Sequence, residues 1–485
     1  MESKHGQALH GSFYSLFGLP ATRYQKAALI ALGRAMKEAS PAGREQKVEA
    51  GYVYFGQFLD HDITRLRRGV EPAGDKQVPL DQLVQMRTPA MDMDALYGLG
   101  FDDAEIPLDR NTGEMMLGYC MDSDGRLIPG LDLPREEASK RPLIGDDRND
   151  ENLIVAQLHL QFLKLHNRLI GHYREAFPCK KARAWYQMAR HALTLCYQEA
   201  VLYDFLPTLT DARVLQAVML DKSHGLLYPV AAEEPRIPVE FSVAAYRFGH
   251  SMVRFRYTIN DKRDKATSLQ EMLQMTGKGG FGGRPYLPAE FLVDWSLFFK
   301  QADKPLPRFF NFALAMDPSV DIRLSEEDDD QINLAVLNLL RSNEVGLPHG
   351  QAVVRHLLQN HAPLAEQIGL RELTPDELNP AILRDDHGNH IGLLDEVGRH
   401  FPHHGFGHKT PLWYYLLAEA DVIGKGVRLG PLGSLIVVEV FHALAIQSRP
   451  SVLFDSVPED FPFLPRSGRF FNRPTYRIAD LLKQE

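Results

Sequence analysis

Leu153 to Tyr173 reads LIVAQLHLQFLKLHNRLIGHY, and the reading of this stretch decides the fold class. Leu158, Phe162, Leu165 and Leu169 recur at steps of four, three and four. That is the period of one helix face, not the two-residue alternation of a strand. Working outward, the same signature returns. Ile332 to Leu340 offers Leu334, Leu337 and Leu340 at steps of three, and Leu412–Val422 and Ser434–Ser448 are long apolar-periodic runs. Alternating runs joined by hairpin dipeptides are scarce. Gly/Pro-rich breaks at Gly277–Pro285, Lys304–Pro307 and Phe401–Gly407 are too short to be interdomain linkers. The sequence predicts a mainly α protein, a single large helical domain over residues 1–485 with long loops and little β structure. Loops beyond about 12–15 residues in a compact domain are usually functional or tied down, which points to a ligand or metal organising the chain.

Composition bounds the function. The 485 residues carry 63 acidic against 54 basic side chains, a formal charge of −9, and 44% are hydrophobic. This is ordinary globular usage and excludes disorder and collagen-like repetition. Mild acidity disfavours nucleic acid or an anionic membrane as a partner, since both select a basic face. Cys120, Cys179 and Cys196 form no CxxC pair and no disulfide framework, so a reducing, cytoplasmic compartment is expected. Met1 to Gln7 is polar and lacks the apolar core of a signal peptide. Gly433–Ile446 is too short for a bilayer and carries Glu439 and His442, so it is read as a buried helix and no membrane span is expected. A monomer or small homo-oligomer is the expected state.

Four places hold residues suited to chemistry. In Gly51–Thr64, a helix would put Gln57, Asp60 and His61 at i, i+3 and i+4 among apolar Val53, Phe55, Phe58 and Leu59. The competing reading is a helix end with solvated acids around one histidine. In Thr88–Gly98, oxygens from Thr88, the Ala90 carbonyl, Asp92 and Asp94 would suit calcium, which takes six to eight oxygen ligands. Solvated loop carboxylates are the plainer account. Gly145–Asn152 brings Arg148 and Glu151 three residues apart, although the segment also reads as a capped helix start. Last, His250 follows an apolar helical run, while Asn338 and Arg341 stand at i and i+3 on the polar face of an apolar helix.

Together and in this order, the motifs resemble the animal-type haem peroxidases of the peroxidase–cyclooxygenase superfamily, particularly their bacterial members. The resemblance runs from about Phe13 to Phe454. The distal-histidine motif is similar to FGQFLDHDIT at 55–64, and the calcium loop to TPAMDMDALYG at 88–98. The distal-arginine segment is similar to GDDRNDENLIVAQLHLQFLKLHNRL at 145–169, and the proximal-histidine motif to YRFGHSMV at 246–253. LNLLRSNEVGLP at 337–348 resembles the asparagine/arginine motif, and LGPLGSLIVVEVF at 429–441 a bacterial-type terminal helix.

The resemblance implies haem b as cofactor and hydrogen peroxide as substrate, reduced through an oxyferryl haem that oxidises small anions or aromatic donors. His250 would be the axial iron ligand, Asn338 would accept from its other N–H, and Arg341 would pair with a propionate. His61 would be the general base, Arg148 would stabilise charge as the O–O bond breaks, and Gln57 would bond distal water. Asp60 and Glu151 match carboxylates that become ester-linked to haem methyl groups. Asn152 departs from the methionine that a few members use for a sulfonium link, so bromide, iodide, thiocyanate or phenols are expected as donors rather than chloride. Calcium would be held by Asp62, Thr88, the Ala90 carbonyl, Asp92 and Asp94, with Asp94 replacing the serine of many members.

Two alternatives stand beside this. Fatty-acid oxygenases of the same superfamily carry a tyrosine three residues before the proximal histidine, where this chain has Arg247, with Tyr246 one residue further away. A haem-binding scaffold without turnover is the non-enzymatic reading, which the joint presence of His61, Arg148, Gln57, His250 and Asn338 opposes. The four histidines between His400 and His408 are read as a surface or channel-lining loop rather than a metal site.

Overall fold

A computed structural model describes residues 11–39, 45–68, 79–220, 227, 236–302, 304–320, 333–385, 387–458, 461, 463–470 and 473–483. Among the described residues the main helices include α1 (Lys26–Glu38), α2 (Gly51–Ile63), α3 (Leu153–Ala176), α4 (Ala182–Ala200), α5 (Leu334–Val345), α6 (Leu412–Val422) and α7 (Pro431–Gln447). The expected mainly α architecture is what the chain adopts. Strands among the described residues are two to six residues long. The best formed pairs Gly118–Met121 antiparallel to Leu127–Asp132, and it continues in parallel to Leu287–Pro288. Such short ribbons carry no layer of their own and lean on the helices.

Local chemistry explains the helix ends. Asn152 caps α3, its Oδ1 accepting from the Val155 N–H at 3.0 Å, and Asn333 caps α5 by accepting from Ala335 and Val336. Gly346 closes α5 in the left-handed region at φ 74°, where a side chain would be strained. The buried Glu419 of α6 accepts from the Leu432 and Gly433 N–H groups at 3.0 Å, satisfying the open end of α7. As read from the sequence, α7 is buried along almost its whole length, and no described helix is long and apolar enough to cross a membrane.

One connected buried core runs from Phe13 to Leu482, past the Phe454 end of the motif-bearing stretch. α3 and α4 pack together and α2 lies against α3, so Phe55, Phe58, Phe162 and Tyr197 form one aromatic cluster, with Phe58 stacked on Phe162 at 4.9 Å. Cys120 and Cys196 are buried and Cys179 exposed, all three free, so packing rather than disulfides holds this core. The apolar steps read for α5 need correction. Leu337 is 44% exposed while Asn338 is fully buried, because α5 turns the amide, not the leucine, towards its neighbours.

α1 crosses α5 at Gly33, where a Cβ would stand 2.6 Å from Val336 Cγ2 and 2.7 Å from its backbone nitrogen. Backbone cannot move aside as a side-chain tip can. Gly33→Ala is therefore expected to destabilise the protein by about 1–3 kcal/mol, read as a lowered Tm by calorimetry. An unchanged Tm would show that the crossing is not close-packed.

Candidate active site

α2 is the wall from which the site is built. It is buried except at Gly56, Gln57 and Asp60, three partly open positions that share one face. Gln57, Asp60 and His61 thus group as their spacing predicts. The Gln57 amide is held at both ends: Oε1 accepts from Asn152 Nδ2 at 3.1 Å, and Nε2 lies 3.5 Å from Glu151 Oε2. Asp60 Oδ1 accepts from the Thr64 hydroxyl at 2.8 Å.

His61 is 4% exposed, and its Nδ1 lies 2.8 Å from Asn149 Oδ1. Burial, followed by the Arg148 charge, pushes its pKa down to about 4, so the ring is neutral at neutral pH. Asn149 lets Nδ1 donate, which leaves the Nε2 lone pair free for a proton. That nitrogen is 3.9 Å from Glu151 Oε2.

Arg148 is the place where a simple reading of the sequence gives way. Its guanidinium is not loose in the cleft: Nε and Nη2 bond Asp146, and Nη2 also donates to the His61 and Thr64 carbonyls at 3.1 and 2.8 Å. Among the described residues no hydrogen bond uses Nη1, which leaves one face of the guanidinium for a ligand. Asp146 is fully buried and also accepts from Arg87 Nε at 2.7 Å. Burial alone would raise this carboxyl, but the two guanidiniums outweigh it and hold it far below the usual range.

Opposite α2, a run of 3₁₀ turns, Ala245–Met252, presents His250. Tyr246 stacks on Phe241 at 4.9 Å, and its hydroxyl donates to the Gly56 carbonyl at 3.2 Å, fastening this segment to α2. Burial and the Arg247 charge lower the His250 pKa to about 3, keeping the ring neutral. Asp60 exerts its charge on both Arg148 and Arg247, so the two groups of residues lie within electrostatic reach of one carboxylate on α2.

The expected role of Asn338 is corrected. Arg247 Nη1 sits on Asn338 Oδ1 at 2.8 Å, and a guanidinium can only donate. The other end of the amide, Nδ2, therefore faces His250 Nδ1 at 2.7 Å and donates to it. In this arrangement Asn338 does not accept from the ring. Arg341 lies on the next turn of α5, its Nε 3.6 Å from Glu344.

The acidic loop folds back on α2. One oxygen from each of Asp62, Asp92 and Asp94 lies within 4.8 Å of the others, the one such cluster of metal-ligating side chains among the described residues. Asp62 accepts from the Met93 and Ala95 N–H groups and from the Tyr197 hydroxyl, and the Thr88 N–H reaches Asp94 at 3.3 Å. Burial first, then mutual repulsion, raises the Asp62 and Asp92 carboxyls, Asp92 to about 7. Crowded, desolvated carboxylates of this kind fit a divalent cation. The extra charge read at Asp94 is met by Arg87, 3.3 Å away.

Several partners were not singled out from the sequence: Asn149, His159, Asp146, Arg87, Arg247, and Asn152 as a support for Gln57. Only Asn152 carried a local signal, a capping residue before an apolar-periodic run. The histidine loop does not assemble a ligand set. His403, His404 and His408 line an open cavity of about 360 Å³ with Arg23, Tyr24 and Lys409, and His404 Nδ1 is already used by the Phe406 N–H.

Residues 66–363 match the family described as animal haem peroxidase. The chain belongs to the animal haem peroxidase family. The matched stretch holds Arg148, His250, Asn338 and Arg341, while Gln57 to Asp62 precede it. Curated relatives include heme peroxidase 2 of Caenorhabditis elegans, 26% identical over 424 residues, 83% of this chain and 52% of the relative. Thyroid peroxidase of Mus musculus is 26% identical over 64% of this chain and 31% of its own length. The chain thus spans about half or less of these relatives. In fold it is similar to peroxidase A from Dictyostelium discoideum, with a TM-score of 0.59 at 17% identity over 91% of this chain and 88% of that one. It is equally similar to a fatty acid alpha-dioxygenase of Oryza sativa, with a TM-score of 0.59 at 16% identity over 93% and 82%. The family implies haem. His250, neutral and with no hydrogen bond to Nε2 among the described residues, fits an iron ligand once its ring proton sits on Nδ1, which requires the Asn338 amide to turn its oxygen to the ring.

Chelating divalent cations is expected to lower Tm, and Asp92→Ala to abolish that response. The sign with pH follows from the raised carboxyls. A carboxyl whose pKa is higher in the fold than unfolded costs stability as pH rises, here between about 4 and about 7. A cation removes this cost, so the Tm loss on chelation should be larger at about pH 8 than at about pH 5. A loss independent of pH would reject the acidic trio as the site.

Proposed function

We propose that the protein is a haem peroxidase that reduces hydrogen peroxide and oxidises bromide, iodide, thiocyanate, or phenolic and other organic donors. One observation carries this reading: a neutral His61 on α2 and a neutral His250 on the segment packed against α2 are each fixed through Nδ1 by an asparagine amide. Bound haem would supply the iron at which the O–O bond is split and the oxidising equivalents passed to the donor. His250 would hold the iron, Arg341 a propionate, and Asp60 and Glu151 are the carboxylates for ester attachment.

His61 acts as general base. It takes a proton at Nε2 from the oxygen of peroxide that attacks, and returns it to the oxygen that leaves. Arg148, through Nη1, stabilises the negative charge on the departing oxygen, while Asp146 keeps the guanidinium aligned. Gln57, locked by Asn152 and Glu151, orients water or a small anion beside His61. Asn152 has no sulfur to alkylate and is engaged with Gln57 and Val155, which favours bromide, iodide or thiocyanate over chloride. Calcium is the cation for Asp62, Asp92 and Asp94, with Thr88 and the Ala90 carbonyl completing the oxygen shell. The free cysteines favour a cytoplasmic setting.

A pyridine haemochrome spectrum with acid-acetone extraction, before and after peroxide, tests haem and both ester links. His61→Ala is expected to slow the reaction with peroxide about 10²–10⁴-fold while haem is retained. Arg148→Gln should cost about 10²-fold or more in the same step without changing haem content. Oxygen uptake on adding linoleate, with no peroxide-dependent dye oxidation, would overturn the reading in favour of a fatty-acid oxygenase. Haem binding with neither activity would make the protein a scaffold.

A further inference from the structure

Behind His61 lies a second imidazole that the proposed chemistry does not use. Asn149 Nδ2 stands 3.0 Å from Nδ1 of His159, on the first turns of α3. Asn149 and His159 are fully buried and His61 nearly so. The edge of His159 meets the Phe58 ring at 5.9 Å, and its Nε2 is buried without a hydrogen-bond partner. An orphaned ring nitrogen in the interior costs about 1–3 kcal/mol. A site retained against that cost needs a reason beyond packing.

An amide has one accepting and one donating end, so the three side chains are coupled. With Oδ1 towards His61, Nδ1 of that ring carries the proton and Nε2 keeps its lone pair on the Glu151 side. Nδ2 must then find an acceptor, and His159 Nδ1 is that acceptor. With the amide reversed, His61 would carry its proton on Nε2 and could not take one from a ligand. We infer that Asn149 and His159 are positioning residues that hold His61 in its base-competent tautomer: the Asn149 oxygen takes the Nδ1 proton of His61, and His159 Nδ1 supplies the acceptor that Nδ2 needs in that orientation. This rests on the peroxidase reading of the cleft.

The test uses the ferric haem protein and cyanide, whose acid form must give a proton to the distal base on binding, alongside the reaction with peroxide. Asn149→Leu removes the acceptor and is expected to slow cyanide association about tenfold or more, with the haem spectrum unchanged. Asn149→Asp keeps an acceptor for His61 and should recover most of the rate. A merely structural role predicts the reverse order, because a buried aspartate disturbs packing more than a leucine does. His159→Phe leaves the amide without its acceptor and should slow association by about threefold or more, with the haem spectrum unchanged. Equal rates for Asn149→Leu and wild type, equal losses for Leu and Asp, or an unchanged rate in His159→Phe would each overturn the proposal. Should Asn149→Leu fail to fold, His159→Phe decides. His61→Ala is the control: if it leaves cyanide and peroxide rates untouched, the peroxidase reading itself has failed, which is a separate result.

Discussion

α2 is buried along nearly its whole length, yet its sequence places Gln57, Asp60, His61 and Asp62 within six residues. A polar group taken out of water without a partner costs about 2–7 kcal/mol, so a helix like this can exist only if the rest of the chain supplies partners. Asn152 meets Gln57, Thr64 meets Asp60, Asn149 meets His61, and the Met93 and Ala95 N–H groups with the Tyr197 hydroxyl meet Asp62. Most of these come from segments far along the chain: the acidic loop, the turn before α3, and α4. Satisfying α2 therefore fixes the relative placement of the elements that make the site.

Charge is handled by sharing groups in the same way. Arg87 touches Asp94 of the acidic trio and Asp146 beneath Arg148. Arg148 in turn donates to the backbone carbonyl of His61. A continuous chain of ion pairs and hydrogen bonds thus runs from the candidate cation site to His61. The low dielectric of the interior strengthens each link and raises the cost of breaking any one. On the segment packed against α2, Arg247 does a related job, claiming the Asn338 oxygen and so deciding which end of the amide His250 meets.

Much of this was legible locally. The period of Leu158, Phe162, Leu165 and Leu169 read correctly as helix, the i, i+3, i+4 spacing put Gln57, Asp60 and His61 on one face, and the carboxylates of Asp92 and Asp94 do cluster, with Asp62. Where the sequence misled, the cause was a global contact. Leu337 fits an apolar period but faces outward, because α5 uses that period to bury Asn338. Arg148 and Glu151 looked like a helix start with charged residues, and nothing nearby in sequence reveals that Asp146 and two distant carbonyls fix the guanidinium.

The sequence by itself determined which residue types and helical faces were available, because side-chain period and capping chemistry are local properties. Tertiary structure alone decided which partner each polar group received and which way each amide points. Hydrogen-bond orientation, desolvation and ion pairing depend on groups brought together across tens to hundreds of residues. His159 shows the division plainly: one histidine on a helix by sequence, and by structure the group behind Asn149 and His61.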